Sequence, residues 1–469
     1  MSDQHSTPEL AARISRIENG LTRGAPLWSQ DTERASLLER MAYHTTPGLS
    51  VAVINGGAIE WARGYGVLET GQPTPVTPNT IFQACSISKH VAMVGALSLV
   101  QDGKLDLDED INSYLTSWRL PANGAWQPRV TVRQLLGHTA GLTQNWYRGF
   151  GQGERVPSLL DVLEGRRPAN TPPVRAVLLP GSQFRYSGSH YSVLQQLLID
   201  VTGAPFPEIM RELVFEPLNM HNSSYDQSFP DTRLESAAGH FIGGAPVHGK
   251  WRVLPEMAGA GLWTSPSDLA LLAIEIQCAY AGQPTSFLKQ SSAQHALTPQ
   301  VSDSYGLGTR LEGTGAARRF GHGGDNIGYK CVTTAYVEHG MGAVVMTNGE
   351  DGYWVALELL RAIAQEYGWP EYLPSHAPIG LSPESYDAYL GAYELHPSAT
   401  IEIGQRGERL YLAAPGQPPI ELIAETDATF FTRELNSELR FTKDDSGVVT
   451  GLTLIQEQQE LQAKKVADA

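Results

Sequence analysis

The stretch Phe82-Gln-Ala-Cys-Ser-Ile-Ser-Lys-His90 stands where a predicted antiparallel hairpin gives way to a predicted buried helix. The residues that follow, up to Asp102, are almost all apolar, contain no Pro and end at Gly103, which indicates a helix beginning at Ser86. On a helix, a spacing of three places Ser86 and Lys89 on one face. Taken alone, the S-x-x-K pattern equally describes a helix cap followed by a solvated lysine. At the start of a buried helix a solvated lysine is out of place, so the context favours a catalytic pair.

The sequence on either side of this helix predicts an α/β (α+β) domain. Upstream, Leu49–Gly66 contains two strand-like runs joined by Asn55-Gly56, a strong hairpin signal. Further elements are predicted by period as helices at Leu10–Asn19, Val132–Leu136, Ser192–Val201 and Tyr353–Tyr367, and as a strand at Gly342–Thr347. We therefore expect an antiparallel sheet flanked by helices over residues 1–370.

The C-terminal part of the chain predicts a separate all-β domain. Residues 371–382 belong to a Pro-rich stretch that predicts a linker, and helical periodicity ends there. Residues 383–469 contain about eight short strand-like runs separated by turns, which predicts a small antiparallel barrel of up-and-down topology. Large residues are expected to fill its interior: Tyr393, Leu412, Leu422, Phe430 and Phe441. We expect this barrel to shape the substrate pocket without contributing a catalytic group.

Charge and composition argue against two classes of partner. A formal net charge of −16 argues against binding to nucleic acid or to an anionic membrane surface, because both require clustered basic residues. Met1–Asn19 shows no export signal and the apolar stretches are too short to span a bilayer, so a cytoplasmic protein is expected. Cys85, Cys278 and Cys331 have no disulfide or metal-binding spacing, and we expect no metal and no cofactor. Cys85 is expected to pack as a small buried residue.

The residue types around Ser86 point to acyl transfer chemistry. A serine hydroxyl becomes a useful nucleophile when a neighbour takes its proton, and a desolvated lysine can do so. The helix N-terminus adds free N–H groups where an oxyanion would develop. A second candidate, Tyr186, precedes a helix predicted from Ser192 to Val201. It can shuttle a proton there or simply pack at the rim of the core.

A third candidate segment runs from Arg319 to Lys330 and contains His-Gly-Gly-Asp. Gly323 and Gly324 allow a backbone to approach a substrate closely. An edge strand here can supply an N–H from Asp325 to an oxyanion, with the His322 side chain facing the pocket. The alternative is an ordinary glycine hairpin with an exposed histidine.

In this order, the three segments resemble the motifs of class C β-lactamases and penicillin-binding-protein-like serine hydrolases: Ser86-x-x-Lys89, Tyr186-Ser187 and His322-Gly323-Gly324. Framework segments that also resemble that family are Leu135–Leu142, Glu216–His221 and Gly259–Leu269. The resemblance extends from about Leu10 to Tyr367. The segment Ala388–Ala463 resembles the lipocalin-like barrel that is appended to some of these hydrolases.

The resemblance implies a role for each site residue. Ser86 would be the acylated nucleophile, Lys89 its activating partner and Tyr186 the general acid/base. The backbone N–H groups of Ser86 and Asp325 would form the oxyanion hole. His322 would make an electrostatic contact to the substrate, with Gly323 and Gly324 beside it.

Two departures from the family pattern bear on the substrate. His322 stands where β-lactamases usually have Lys, and a mostly neutral imidazole is a poorer anchor for a carboxylate. Gly188 stands where the family usually has an Asn that grips a substrate amide. Because of these two departures, the expected substrates are small esters, or peptides and amides with D or unusual residues.

His138 and Trp263 are expected to be structural.

Several alternatives stay open at this stage. Within the same chemistry, the protein is a D-aminopeptidase or a carrier-linked peptide cyclase or thioesterase of secondary metabolism, and either water or another acceptor receives the acyl group. From other classes, it is a catalytically silent ligand sensor or scaffold, or its barrel carries a small molecule. A homo-oligomer is possible.

Overall fold

A computed structural model of the chain describes residues 7–22, 34–228, 235–284, 286–373, 378–396, 399–417, 419–432, 437–456 and 459–466. Residues 374–377 of the expected linker lie outside this range. The fold divides into two compact units: Leu38–Leu360 forms one, and Met1–Leu37 with Arg361–Ala469 forms the other.

The α-helices are α1 (Pro8–Glu18), α2 (Leu37–Tyr43), α3 (Ile87–Gln101), α4 (Val132–Leu136), α5 (Leu159–Glu164), α6 (Gly188–Thr202), α7 (Phe206–Met210), α8 (Met257–Ala260), α9 (Pro266–Tyr280), α10 (Gln290–Leu297) and α11 (Gly352–Tyr367). The strands that precede the barrel in the chain are β1 (Leu21–Thr22), β2 (Arg34–Ala35), β3 (Gly48–Asn55), β4 (Ala58–Gly66), β5 (Phe82–Gln83), β6 (Trp263–Thr264), β7 (Arg310–Glu312), β8 (Arg319–Asn326), β9 (Tyr329–Tyr336) and β10 (Gly342–Thr347). The strands of the barrel are β11 (Gly391–His396), β12 (Ala399–Arg406), β13 (Arg409–Ala413), β14 (Ile420–Ala424), β15 (Thr429–Thr432), β16 (Glu438–Lys443), β17 (Val449–Gln456) and β18 (Gln459–Lys465). Short 3₁₀ segments lie at Ile111–Ser113, Gly315–Ala317 and Pro383–Ala388, and a π-helical segment lies at Arg211–Phe215.

The main sheet is antiparallel, with the strand order β4-β3-β10-β9-β8-β7. The predicted hairpin is confirmed, and its turn consists of Gly56 and Gly57 at φ 60° and 76°. A two-residue turn with both φ angles positive matches the right-handed twist of the strands, which explains the glycines. Helix α9 packs across β3, β4 and β10, so the predicted sheet flanked by helices is present.

The predicted buried helix is α3, and Ser86 is its N-cap. All residues from Ile87 to Leu99 are buried, because the helix has no continuous polar face to present to water. It contacts α8 and β8, so two distant parts of the chain lie beside it.

Two sequence expectations about the site segments were wrong in detail. Helix α6 begins at Gly188, not at Ser192, because the Ser187 hydroxyl caps it by accepting from the N–H of Ser189 at 3.2 Å. Strand β8 is not the edge of the sheet. It pairs with β9 along its length, and the edge strand β7 covers it at Arg319–Gly321. From His322 to Asn326, where the oxyanion donor was expected, no described strand pairs with the β7 side of β8.

The C-terminal strands β11 to β18 form a closed, up-and-down, eight-stranded barrel of the lipocalin-like kind that was predicted. All five residues expected inside it are buried. Aromatic rings fill the interior, with the centroids of Phe430 and Phe441 at 5.3 Å and those of Tyr389 and Phe441 at 4.9 Å. These contacts favour a packed barrel over a hollow carrier.

Among the residues that the structure describes, no helix is both long enough and apolar enough to cross a bilayer.

Candidate active site

The turn before α3 holds Ser86 in a constrained backbone. Cys85 has φ 55°, a left-handed conformation that is uncommon for a residue with a side chain and that occurs often at functional sites. Gly324 of β8 packs against this turn, where a Cβ would lie 2.6 Å from the Ala84 carbonyl oxygen. Glycine at this position therefore lets β8 approach the serine. Cys85 itself is fully buried and its thiol donates to the Gln83 carbonyl at 3.3 Å, as a packing residue would.

Lys89 lies one helical turn beyond Ser86 and is only 2% exposed. Its Nζ donates to Ser86 Oγ at 3.1 Å and to the carbonyl oxygen of Gly259, in α8, at 2.6 Å. These contacts fix the nitrogen beside the serine hydroxyl. The predicted pair is thus brought together in space.

Tyr186 lies immediately before α6 and is partly exposed. The Lys89 Nζ is 5.1 Å from the centroid of its ring. The exposed indole of Trp146 stacks on the same phenol, with centroids 5.9 Å apart. The tyrosine therefore stands at the border between the buried lysine and solvent, where a leaving group would depart.

A pair of buried histidines lies behind Tyr186. The Nδ1 atoms of His138 and His190 are 2.9 Å apart, and the His138 ring centroid is 4.3 Å from that of Tyr186. Burial lowers the pKa of His190 to about 3 and holds the pKa of His138 well below its usual value. Both rings are therefore neutral, so one Nδ1–H donates to the other nitrogen. His138 had been expected to be structural, and its contact with Tyr186 makes it part of the site's support.

Strand β8 places the third predicted segment at the same site. His322 is buried, its Nδ1 donates to the Gly323 carbonyl at 2.6 Å, and its Nε2 lies 3.2 Å from the Tyr305 hydroxyl. Burial holds the His322 pKa well below its usual value, so this imidazole carries no charge near neutral pH. A Cβ at Gly323 would meet no atom within 4 Å, so that face of the strand is open. The Asp325 carboxylate is exposed and pairs with Lys330 at 2.7 Å.

Two residues of the site were not found from the sequence. Tyr147 places its ring centroid 5.8 Å from Lys89 Nζ, and its hydroxyl lies 2.7 Å from Ser192 Oγ. Glu256 is 1% exposed, burial raises its pKa to about 7, and among the described residues its Oε2 has no hydrogen-bond partner. Tyr147 follows the framework segment Leu135–Leu142 and Glu256 precedes the framework segment Gly259–Leu269, but neither residue belongs to a recognisable motif. Only the fold brings Tyr147 to Lys89, and Glu256 acts electrostatically on Tyr147.

The arrangement combines a hydroxyl, a buried amine in contact with it and a phenol at the solvent border. Those are the parts needed for nucleophilic attack and for two proton transfers. Of the predicted residues, Ser86, Lys89 and Tyr186 lie together, and β8 brings His322, Gly323 and Gly324 beside them. Trp263 is fully buried in β6, in keeping with a structural role.

Comparison with known proteins gives two family matches. The family described as Beta-lactamase matches residues 34–367, and a domain of unknown function (DUF3471) matches residues 375–466.

Among curated relatives, Penicillin-binding protein 4* of Bacillus subtilis is 23% identical over 421 residues, which is 84% of this chain and 89% of that protein. The D-aminopeptidase of Brucella anthropi is 25% identical over 322 residues, which is 66% of this chain and 58% of that protein. Among solved structures, the octameric penicillin-binding protein homologue from Pyrococcus abyssi matches with a TM-score of 0.62 and 22% identity. That match covers 91% of this chain and 98% of the homologue.

Proposed function

Since the chain belongs to the Beta-lactamase family of active-site-serine hydrolases, we propose that Ser86 is its acylated nucleophile and that Lys89 and Tyr186 move the protons. The observation that carries this proposal is the 3.1 Å separation of Lys89 Nζ and Ser86 Oγ at a buried lysine. In its amine form, Nζ can accept the hydroxyl proton as Oγ attacks a carbonyl carbon. Tyr186, whose ring centroid is 5.1 Å from this nitrogen, would pass a proton to the leaving group.

The backbone N–H groups of Ser86 and Asp325 are the proposed oxyanion hole. Backbone N–H groups at the start of a helix have no partner within that helix, and Ser86 caps α3. The close packing of Gly324 against Ala84 and Cys85 supports a second donor from β8. When the tetrahedral intermediate collapses, the leaving group takes a proton and an acyl group stays on Oγ. Water or another acceptor then attacks that ester and restores the serine.

The proposed substrates are small esters, or amides and peptides with D or unusual residues. A buried, neutral His322 that already contacts the Tyr305 hydroxyl offers no positive charge to the carboxylate of a β-lactam. Gly188 offers no side-chain amide to a substrate. The similarity to a D-aminopeptidase supports substrates with D residues. Within the same chemistry, the alternatives are a D-aminopeptidase proper and a carrier-linked peptide cyclase or thioesterase.

A serine-directed fluorophosphonate tests the proposal directly. We expect a single adduct that maps to Ser86, followed by turnover of p-nitrophenyl esters or of D-aminoacyl anilides. Nitrocefin turnover should be lower than that of the best ester by about tenfold or more, given the missing cation. Absence of any adduct on the folded protein would instead favour the catalytically silent sensor or scaffold. Nitrocefin turnover equal to that of the best ester would contradict the substrate assignment.

The domain limits 1–370, 371–382 and 383–469 are also proposals, and the two family matches end near them. A homo-oligomer is proposed by analogy with the octameric homologue, and light scattering after size exclusion would test it. A cytoplasmic location stays a prediction that cell fractionation can check.

A further inference from the structure

The ring of Tyr147 is held between two glycines of different helices. A Cβ at Gly188, the first residue of α6, would lie 2.6 Å from the Tyr147 hydroxyl oxygen and closer still to Cζ. A Cβ at Gly259, in α8, would lie 3.0 Å from Cζ and closer still to Cε2. Neither helix therefore has room for a side chain where it contacts the ring edge that carries Cε2 and Cζ. The hydroxyl is further held at 2.7 Å from Ser192 Oγ.

This position is next to the reacting atoms. The Gly259 carbonyl that accepts from Lys89 Nζ at 2.6 Å belongs to one of the two glycines in contact with the ring. The centroid of the ring is 5.8 Å from Nζ, which itself lies 3.1 Å from Ser86 Oγ. An acyl group attached to Oγ has its first substituents within a few bonds of these atoms. A ring this close to Lys89 is in a position to border those substituents.

The side chain at position 188 and the ring of Tyr147 exclude each other. Any residue larger than glycine at 188 would need the volume that the ring now fills. Burial raises the pKa of Tyr147 well above its usual value, so the group stays a neutral phenol. The group beside Lys89 is consequently a neutral aromatic ring, and its hydroxyl is already hydrogen-bonded to Ser192.

We propose that Tyr147 is a specificity-determining residue that narrows the acyl side of the Ser86 site and selects compact acyl groups over acyl groups branched next to the carbonyl. This inference rests on the proposed function of Ser86. Of the two proposed substrate classes it favours short, unbranched acyl esters over D-aminoacyl substrates, whose α-carbon carries a side chain.

The experiment compares Tyr147→Ala and Tyr147→Phe with the wild type on two p-nitrophenyl esters, acetate and an N-acyl-D-phenylalanine ester. The readout is the ratio of kcat/KM for the bulky ester to that for acetate. A general loosening of Lys89 through Gly259 lowers both values and cancels in this ratio. We expect Tyr147→Ala to raise the ratio by about tenfold or more, as removal of a steric block does. Tyr147→Phe keeps the ring and should leave the ratio within about threefold.

A reciprocal pair of variants tests the mutual exclusion. Gly188→Asn alone should lower the melting temperature because its side chain meets the Tyr147 ring, and Tyr147→Ala in the same chain should restore much of that loss. This double variant also keeps the inference testable if Tyr147→Ala alone folds poorly. A folded Tyr147→Ala protein with an unchanged ratio would overturn the inference, as would a Gly188→Asn defect that Tyr147→Ala leaves in place.

Fluorophosphonate labelling of the wild type distinguishes a failure of the proposed function of Ser86 from a failure of the proposed role of Tyr147. A wild-type protein that is not labelled at Ser86 refutes the proposed function and the inference together. A labelled protein with an unchanged ratio refutes only the role of Tyr147.

Discussion

The centroids of the imidazole ring of His138 and the phenol ring of Tyr186 are 4.3 Å apart. His138 is fully buried and neutral, so it supports the phenol without adding charge to it. Any positive charge that favours a phenolate must therefore come from elsewhere, and Lys89 Nζ, 5.1 Å from the same ring, is in place to supply it once it has taken the Ser86 proton. The proton chemistry proposed for Tyr186 thus depends on Lys89, whereas its orientation depends on His138.

Replacing Ser86 with Ala should abolish labelling by a fluorophosphonate and leave the fold intact. Ser86 is partly exposed, so loss of its hydroxyl should change the free energy of unfolding by about 1 kcal/mol or less. Intact-mass measurement and thermal melting check the two expectations. The matched control is Ser88→Ala, since the Ser88 hydroxyl bonds the Cys85 carbonyl and the Leu262 N–H and has no proposed part in the chemistry. Undiminished turnover by a folded Ser86→Ala protein would end the proposal.

Replacing Lys89 with Met or Tyr186 with Phe should each lower kcat by about a hundredfold or more, because groups that move protons act in the transition state. Stopped assays with the best ester give kcat and KM separately. Tyr191→Phe is the matched control: its hydroxyl is buried and bonds the Leu136 carbonyl at 3.3 Å. That variant should lose stability but keep kcat. A change confined to KM in the first two variants would assign Lys89 and Tyr186 to binding.

Local sequence patterns were sufficient to predict most of the fold. The apolar run after Ser86 predicted α3 to within a residue at each end, and the Asn55-Gly56 signal predicted the β3–β4 hairpin. The expected number of about eight barrel strands is confirmed, since strand-like runs and the turn residues between them can be read from neighbouring residues. The start of α6 was missed because Ser187 can cap a helix or end a loop, and only its bond to Ser189 decides between them.

The support of the site could not be predicted in the same way. Tyr147, His190 and Glu256 are far apart in the chain. Only the fold places Tyr147 near Lys89, His190 against His138 and Glu256 near Tyr147. A tyrosine or glutamate outside a motif carries no local sign of burial. The sequence identified Gly188 as a departure from the family pattern and Gly259 as part of a framework segment. It gave no sign that both glycines contact the ring of Tyr147.

Buried histidines should make the protein lose stability in acid. Burial lowers the pKa of His90 to about 4 and that of His190 to about 3. Below about pH 6.5 the unfolded chain takes up protons at these residues and the folded chain does not, so stability falls as pH falls toward the folded pKa values. Each histidine contributes about 1.4 kcal/mol per pH unit in this window.

Urea unfolding at several pH values between about 7.5 and 4.5 measures this loss. His90→Asn preserves a donor toward the Gly308 carbonyl, the present partner of His90 Nδ1, and removes the titrating ring. Its stability should fall less steeply with decreasing pH than that of the wild type. Parallel curves of unfolding free energy against pH for the two proteins would show that the pKa of His90 in the folded state is not lowered.

The buried carboxyl of Glu256 should act in the opposite direction and make the protein less stable as pH rises. Burial raises its pKa from 4.5 to about 7. Below the lower value the group is protonated in both states and costs nothing. Between the two values the unfolded chain releases the proton while the folded chain keeps it, so stability declines until about pH 7 and is constant beyond. The full effect is on the order of 3 kcal/mol.

Glu256→Gln keeps the size of this side chain and removes its ionisation. Its free energy of unfolding relative to the wild type should therefore rise by about 2–3 kcal/mol between about pH 5 and about pH 8. The histidines are present in both proteins and cancel in the difference. Glu338→Gln, at an exposed position, is the matched control. A difference for Glu256→Gln that stays flat across this range would mean that the carboxyl ionises near its ordinary pKa, with a cation or ordered water beside Oε2.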